Sequence, residues 1–228
     1  MISEVTINID PHIKHLGIFL YYGIAHDVIV EKDRVDIREY AKKVINSIIN
    51  SYVIERLREH PIIRAYRNTM WRLGIDPTKI RISSEALLRR VLRRGTFPHI
   101  NNVVDSCNLA SLETLVPISI FDLHKIKSVI ILRCAKPGEV FKSLSNEDEV
   151  LRGYEVVLAE VDGKILHLYP HKDSKETLVT NETRDVLVVA YGAPEIPRLL
   201  VRDAVSKTLN YLTMFCNAKN LKGIYEVT

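Results

Sequence analysis

The apolar positions of this chain repeat in two ways. Across about residues 37–58, Ile37, Tyr40, Ala41, Val44, Ile45, Ile48, Ile49, Tyr52 and Val53 recur three and four apart, which predicts a long amphipathic helix. Asp36 is its expected N-cap, with Glu39 at the capping-box position. Pro61 suits the first turn of a second helix, which runs through Trp71 and stops at Gly74. A third helix starts from a cap at Ser83 or Ser84 and ends at Gly95. Its apolar stripe is Leu87, Leu88, Val91 and Leu92, and its other side carries Arg89, Arg90, Arg93 and Arg94. From Glu195 onward a last helix is predicted, with Leu199, Leu200, Ala204, Val205, Leu209, Leu212 and Phe215 on its apolar face. Elsewhere apolar residues alternate or run together. Residues 5–9, 16–22, 129–133, 154–161, 164–169 and 185–191 are predicted strands, and Asp162-Gly163 is a two-residue hairpin signal. Helices and strands do not alternate regularly, so the expected class is α+β, as one domain over 1–228.

Residues 97–126 follow neither period. Asn101, Asn102, Asp105, Ser106, Cys107, Asn108, Ser119 and Asp122 are set between short apolar runs, and Pro98 and Pro117 bracket most of them. Composition is otherwise ordinary: 228 residues, 46% hydrophobic and 26% charged, which argues against disorder. A net charge of +4 permits an acidic partner without demanding one. Cys107, Cys134 and Cys216 are widely spaced with no CxxC, so neither a zinc site nor a disulfide framework is signalled. His167 and His171 lie on a predicted strand followed across by Pro170 and do not share a face as they would on a helix. No metal and no cofactor are expected. The apolar run at 16–22 is too short to span a bilayer and has no leader-like flanks, so no membrane association and a cytoplasmic location are expected.

Pro98-His99-Ile100-Asn101-Asn102-Val103-Val104-Asp105-Ser106-Cys107-Asn108 is followed by Leu112-Glu113, Pro117 and Phe121-Asp122-Leu123-His124-Lys125-Ile126. Downstream stands Val179-Thr180-Asn181-Glu182-Thr183-Arg184-Asp185-Val186. This order of motifs resembles the B3/4 domain of phenylalanyl-tRNA synthetase beta subunits. The motifs span about 65–195. Residues 1–60 lie outside their reach, and 196–228 form the C-terminal helix. The resemblance implies mixed or antiparallel sheets flanked by helices. The chain is too short to hold an adenylate-forming domain as well, so a stand-alone editing-type domain is expected, with an ester of mischarged tRNA as substrate. Near-isosteric amino acids differ by only a few kcal/mol in a binding pocket, which is why a second, hydrolytic sieve is needed.

The resemblance assigns Asn108, Ser119 and Glu176 to catalysis, with Cys107, Asp105 and Thr177 around the amino-acid moiety. Glu176 carries a register uncertainty of one residue, and the Val179–Thr183 block is expected as the opposite wall. Each has a structural alternative: Asn108 satisfying backbone in a turn, Cys107 as a small buried residue, Ser119 bonded to a neighbouring carbonyl, Glu176 exposed on a loop, and Asp105 or Asp122 capping amides. At Ser119 the family pattern has histidine, so a titratable ring is missing. Arg89, Arg90, Arg93 and Arg94 are the expected tRNA phosphate contacts, or else a solvated helix face. Two other readings stay open: a non-catalytic module that binds tRNA or an amino acid, and a hydrolase or transferase for a free small amide or ester.

Overall fold

A computed structural model describes residues 5–127, 129–144 and 147–228. Two sheets pack face to face. Strands β1 (Ile7–Ile9), β4 (Ile130–Cys134), β7 (Val156–Glu160), β8 (Ile165–Leu168) and β9 (Lys172–Asp173) form one, in that order. The β1–β4 pair is parallel and the rest antiparallel. The second sheet runs β11 (Lys219–Val227), β2 (Leu20–His26), β10 (Val186–Tyr191), β3 (Ile118–Asp122), all antiparallel. A short pair, β5 (Val140–Phe141) and β6 (Glu149–Val150), stands apart. The helices are α1 (Val35–Ser51), α2 (Pro61–Arg72), α3 (Ser83–Arg94), α4 (Asn102–Thr114) and α5 (Arg198–Cys216). The class is α+β, with mixed and antiparallel sheets.

Strand alternation sorts the core into layers. On β10, Leu187, Val189 and Tyr191 enter the inter-sheet core with Ile130, Leu132, Val156 and Leu158. Their neighbours Val186, Val188 and Ala190 face the helices, against Val205 and Leu209 of α5 and Leu109 of α4. On its outer side the five-stranded sheet is covered by a smaller cluster around Phe141, Val157 and Ala159. At Gly192 the backbone passes so close to Phe19 that an added Cβ would lie 2.3 Å from its ring.

Several element boundaries differ from the sequence expectation. The first long helix ends at Ser51, and residues Ile54–Glu59 form a 3-10 turn. Its N-cap is Arg34. Asp36 is the second residue of the helix and receives Arg34 Nε at 3.0 Å and Ile37 N–H at 2.8 Å. α3 is capped by Ile82, which is fully buried, and Ser83 and Ser84 lie inside the helix. Core burial of Ile82 therefore sets the start of the helix. Leu16 belongs to a 3-10 turn before β2, and Leu199 of α5 is exposed. β11 carries no clear alternation, being exposed along most of its length with two register shifts, and the sequence reading lacks it. The expected terminations at Gly74 and Gly95 are present: both adopt left-handed φ, at 73° and 63°.

The irregular stretch 97–126 contains α4 and β3. α4 is buried nearly all round. Its polar residues satisfy backbone in the core. Asn101 accepts from Val104 N–H as N-cap. Asn102 Nδ2 donates to the carbonyls of Ile29 and Phe215, and its oxygen accepts from Glu31 N–H. Ser106 donates to Asn102 O and Ser111 to Val116 O.

Candidate functional site

β3 pairs with β10 in a register that sets Ser119 opposite Val189. Ser119 therefore faces the inter-sheet core, in a layer where its strand neighbours Val189 and Phe121 are apolar. It is 1% exposed. Its hydroxyl needs a partner in such a layer, and the other sheet supplies one.

The partner arrives by way of a bulge. In β7–β8, Leu158 pairs with His167 and Ala159 with Ile165, so Leu166 is an extra residue on β8. Strict alternation from Ile165 would send His167 to the outer cluster. The bulge reverses it, and His167 joins Leu158 on the inter-sheet side. There its ring stacks on Tyr191 at 4.3 Å between centroids and 13° between planes. β9 then sets Asp173 opposite His167.

Asp173 Oδ1 accepts from Ser119 Oγ at 2.6 Å and lies 2.8 Å from His167 Nδ1. Ser119 Oγ is 3.2 Å from the same ring nitrogen. With the carboxylate ionised, the Nδ1 proton points at Asp173, and in the neutral ring Nε2 holds a lone pair. Nε2 is buried and meets no hydrogen-bond partner. The Tyr191 hydroxyl lies beside Ser119 without completing a well-formed bond, and burial drives its pKa well up. Cys107, on α4, donates to Ile118 O across 3.6 Å. Burial, with the Asp173 charge in second place, pushes its thiol far above the normal range, so it is neutral. His171 lies half-buried close by. Burial first, then the neighbouring His167 ring and the Lys172 ammonium, bring it down to about 4. Asp173 is 36% exposed and is the point at which the cluster meets solvent, since His167 is only 2% exposed.

The expected site residues are distributed unevenly around this cluster. Ser119 is at its centre and Cys107 beside it. Asn108 is the next residue on α4. It is half-buried, and its amide makes no hydrogen bond among the described residues. Thr177 is fully buried, with its hydroxyl unpartnered. Glu176 is exposed, in the electrostatic field of Lys142. Asp105 is committed elsewhere: its two oxygens take Ile100 N–H and His99 Nδ1, each at 2.9 Å, and tie down the loop before α4. Burial is the main influence on Asp105 and raises its pKa despite those bonds. The Val179–Thr183 block closes on the far end of β3, where Thr183 Oγ1 donates to Asp122 at 2.7 Å. It is therefore not the wall facing Ser119. His167 and Asp173 were missed. The available signal was one polar residue in the apolar run Ile165–Tyr169.

Arg81, Arg89, Arg90, Arg93 and Arg94 line a surface cleft of about 350 Å³. Arg89 is not free for a ligand: its Nε sits 2.7 Å from buried Glu85, which Arg67 also holds at 2.9 Å. Arg90, Arg93 and Arg94 are exposed. The first residue of α3 touches the loop that joins His167 to Asp173, Ser83 N–H donating to Pro170 O at 3.3 Å.

A two-sheet α+β domain with a polar cluster at one sheet edge is thus the class this fold defines. Residues 65–208 match the B3/4 domain, and the chain belongs to that family. It is 29% identical over 201 residues to the phenylalanine–tRNA ligase beta subunit of Fusobacterium nucleatum, covering 88% of this chain and 24% of that protein. It is 35% identical over 131 residues to the same subunit of Nocardia farcinica, covering 58% of this chain and 15% of the relative. The chain spans about a quarter or less of the curated relatives it matches. An N-terminal fragment of the phenylalanyl-tRNA synthetase beta subunit from Pyrococcus horikoshii shares the fold. The TM-score is 0.53 at 17% identity, over 98% of this chain and 54% of that one. At that coverage the likeness extends into the described residues before 60, beyond the reach of the sequence motifs. Among the described residues no helix is long and apolar enough to cross a membrane, and no group of three potential metal ligands occurs.

Proposed function

We propose that this chain hydrolyses the ester of mischarged aminoacyl-tRNA, acting in trans in the cytoplasm with no metal or cofactor. The observation that carries this reading is the Ser119–His167–Asp173 cluster, buried within a B3/4 fold and reaching solvent at Asp173. Two covalent routes fit poorly. Ser119 gives its proton to Asp173 rather than to the imidazole, because both groups crowd the same ring nitrogen, unlike a linear relay. Cys107 is held as a neutral thiol, and the thiolate is the nucleophile in cysteine chemistry. Direct attack by water on the ester carbonyl fits better. Asn108 orients the carbonyl and its developing oxyanion, Ser119 holds Asp173 in position beside it, Thr177 lines the amino-acid pocket, and Glu176 stands at the rim. Arg90, Arg93 and Arg94 meet phosphate, and Arg89 holds the helix in place.

A second reading, a non-catalytic module for tRNA or an amino acid, is favoured by the near-complete burial of Ser119 and His167. One assay separates the two: purified protein incubated with a panel of mischarged tRNAs, with Ser119→Ala, Asn108→Ala and Glu176→Ala beside it. Ester loss above the spontaneous rate that falls in the variants supports hydrolysis. Loss at the spontaneous rate across the panel overturns it, and salt-sensitive tRNA binding in that case supports the binding module.

A further inference from the structure

We propose that Asp173 is the receptor for the free α-ammonium group of the aminoacyl ligand, so that the site takes unblocked aminoacyl esters and rejects N-acylated ones. The choice of ligand rests on the aminoacyl-ester reading above. The receptor itself is argued from the geometry of one carboxylate.

Asp173 offers its two oxygens differently. Oδ1 is saturated by Ser119 Oγ and His167 Nδ1. Oδ2 has no hydrogen bond to any described residue, and the side chain is 36% exposed. A carboxylate with one oxygen anchored and one presented is preorganised, because its rotamer is fixed before the ligand arrives. The anchor is itself rigid: the His167 ring lies flat on Tyr191.

The surroundings leave the negative charge for a ligand to meet. The neighbouring cysteine and tyrosine are neutral, and burial keeps His171 neutral down to about 4. The two nearest lysines in sequence are engaged elsewhere: Lys172 Nζ pairs with Glu149, and Lys175 Nζ pairs with Asp148 at 3.0 Å. One available oxygen suits a compact ammonium donor. A guanidinium would need both oxygens for its fork. A metal ion would need further ligands, and no group of three occurs among the described residues. An ammonium carrying an acyl group loses its charge and gains bulk at the same atom, so a peptidyl or formyl-aminoacyl ester would face an unpaired carboxylate.

The test uses adenosine carrying an amide-linked, non-hydrolysable 3′-aminoacyl group, in a panel of glycyl, alanyl, seryl, threonyl, valyl and tyrosyl forms. Each is compared with its N-acetyl counterpart by calorimetric titration. For the wild-type chain, acetylation is expected to weaken the best binder by about 10- to 100-fold, the range for a hydrogen bond to a charged group. Asp173→Asn should weaken the free-amine form by a similar factor and leave the acetylated form unchanged. Equal binding of both forms by the wild type overturns the proposal without reference to any variant. So does an equal loss of both forms in Asp173→Asn, and so does absence of binding across the panel at millimolar concentration. Amine-dependent binding together with no ester hydrolysis in the tRNA assay would sustain Asp173 as receptor and remove the hydrolase reading, so the two failures are distinct.

Discussion

Two carboxylates of this chain meet imidazoles at opposite ends of β3, and they are built to opposite effect. Beyond its C-terminal end, Asp185 receives His26 Nδ1 on one oxygen at 2.8 Å and His124 Nε2 on the other at 2.7 Å. It is 12% exposed. Near the N-terminal end, Asp173 spends one oxygen on two partners and leaves the other open. The histidines do not distinguish the sites, since both His26 and His167 bury an unpartnered Nε2. The carboxylates do. At Asp185 burial works against the charge, but the His26 and His124 bonds outweigh it and hold the carboxyl below its usual range. A carboxylate satisfied on both oxygens pins strand ends together. One satisfied on a single oxygen keeps a binding valence.

The contrast can be broken most sharply at Ser119. Ser119→Ala should cut ester hydrolysis by roughly 100-fold, the scale for loss of one positioning donor, in steady-state assays with mischarged tRNA. Denaturant titration of the same variant should show a loss of only about 1 kcal/mol, because His167 still holds Asp173. Asp185→Asn should do the reverse. A loss of about 2 kcal/mol in urea unfolding is expected as two imidazoles lose a charged partner, with hydrolysis unchanged.

Acid separates the two ends by pH window. His171, beside the candidate site, has a folded-state pKa of about 4 against an ordinary 6.5. The unfolded chain takes up that proton first, so this contribution is complete above 6.5 and is lost as pH falls toward 4. Asp185 is lowered from 3.8, so its contribution is present above that value and is lost only below it. Unfolding free energy measured against pH should fall in two stages, and His171→Asn should shrink the upper one, leaving the share of His60, whose pKa burial also lowers from 6.5.

The smallest effects belong to the arginine face. Arg90→Gln or Arg93→Gln should each lower the salt slope of tRNA binding by about one phosphate contact and leave folding stability unchanged. Arg89→Gln should instead cost stability, on the order of 1–3 kcal/mol, because it removes one of the two charged partners of buried Glu85. Equal salt slopes for all the variants would remove this helix from the tRNA-binding reading.

What the sequence disclosed followed from how local each signal was. α2 and α3 were legible because Pro61, Gly74 and Gly95 punctuate them and one face of each stays in water. The Asp162-Gly163 hairpin was legible for the same reason. α4 was not, because ten of its thirteen residues are buried and no polar stripe remains to reveal a period. Its asparagines and serines suggested chemistry where most of them serve backbone carbonyls and amides in the core. Asp105, for which the sequence left open a place at the substrate or a cap on backbone amides, takes the Ile100 amide and the His99 ring of the neighbouring loop. Ser119 was picked out from the family pattern, yet His167 and Asp173 depend on a sheet-to-sheet meeting that no local window contains.

The bulge at Leu166 therefore acts as a parity bit. One residue, inserted in a strand of four, decides whether an imidazole is delivered to Ser119 or to the outer cluster around Phe141. Relatives that differ by a single insertion or deletion in this strand would keep both sheets and the surrounding motifs while exchanging the residue presented at the site. In such a family, the chemistry of the pocket can change through length alone, with no substitution at any position that lines it.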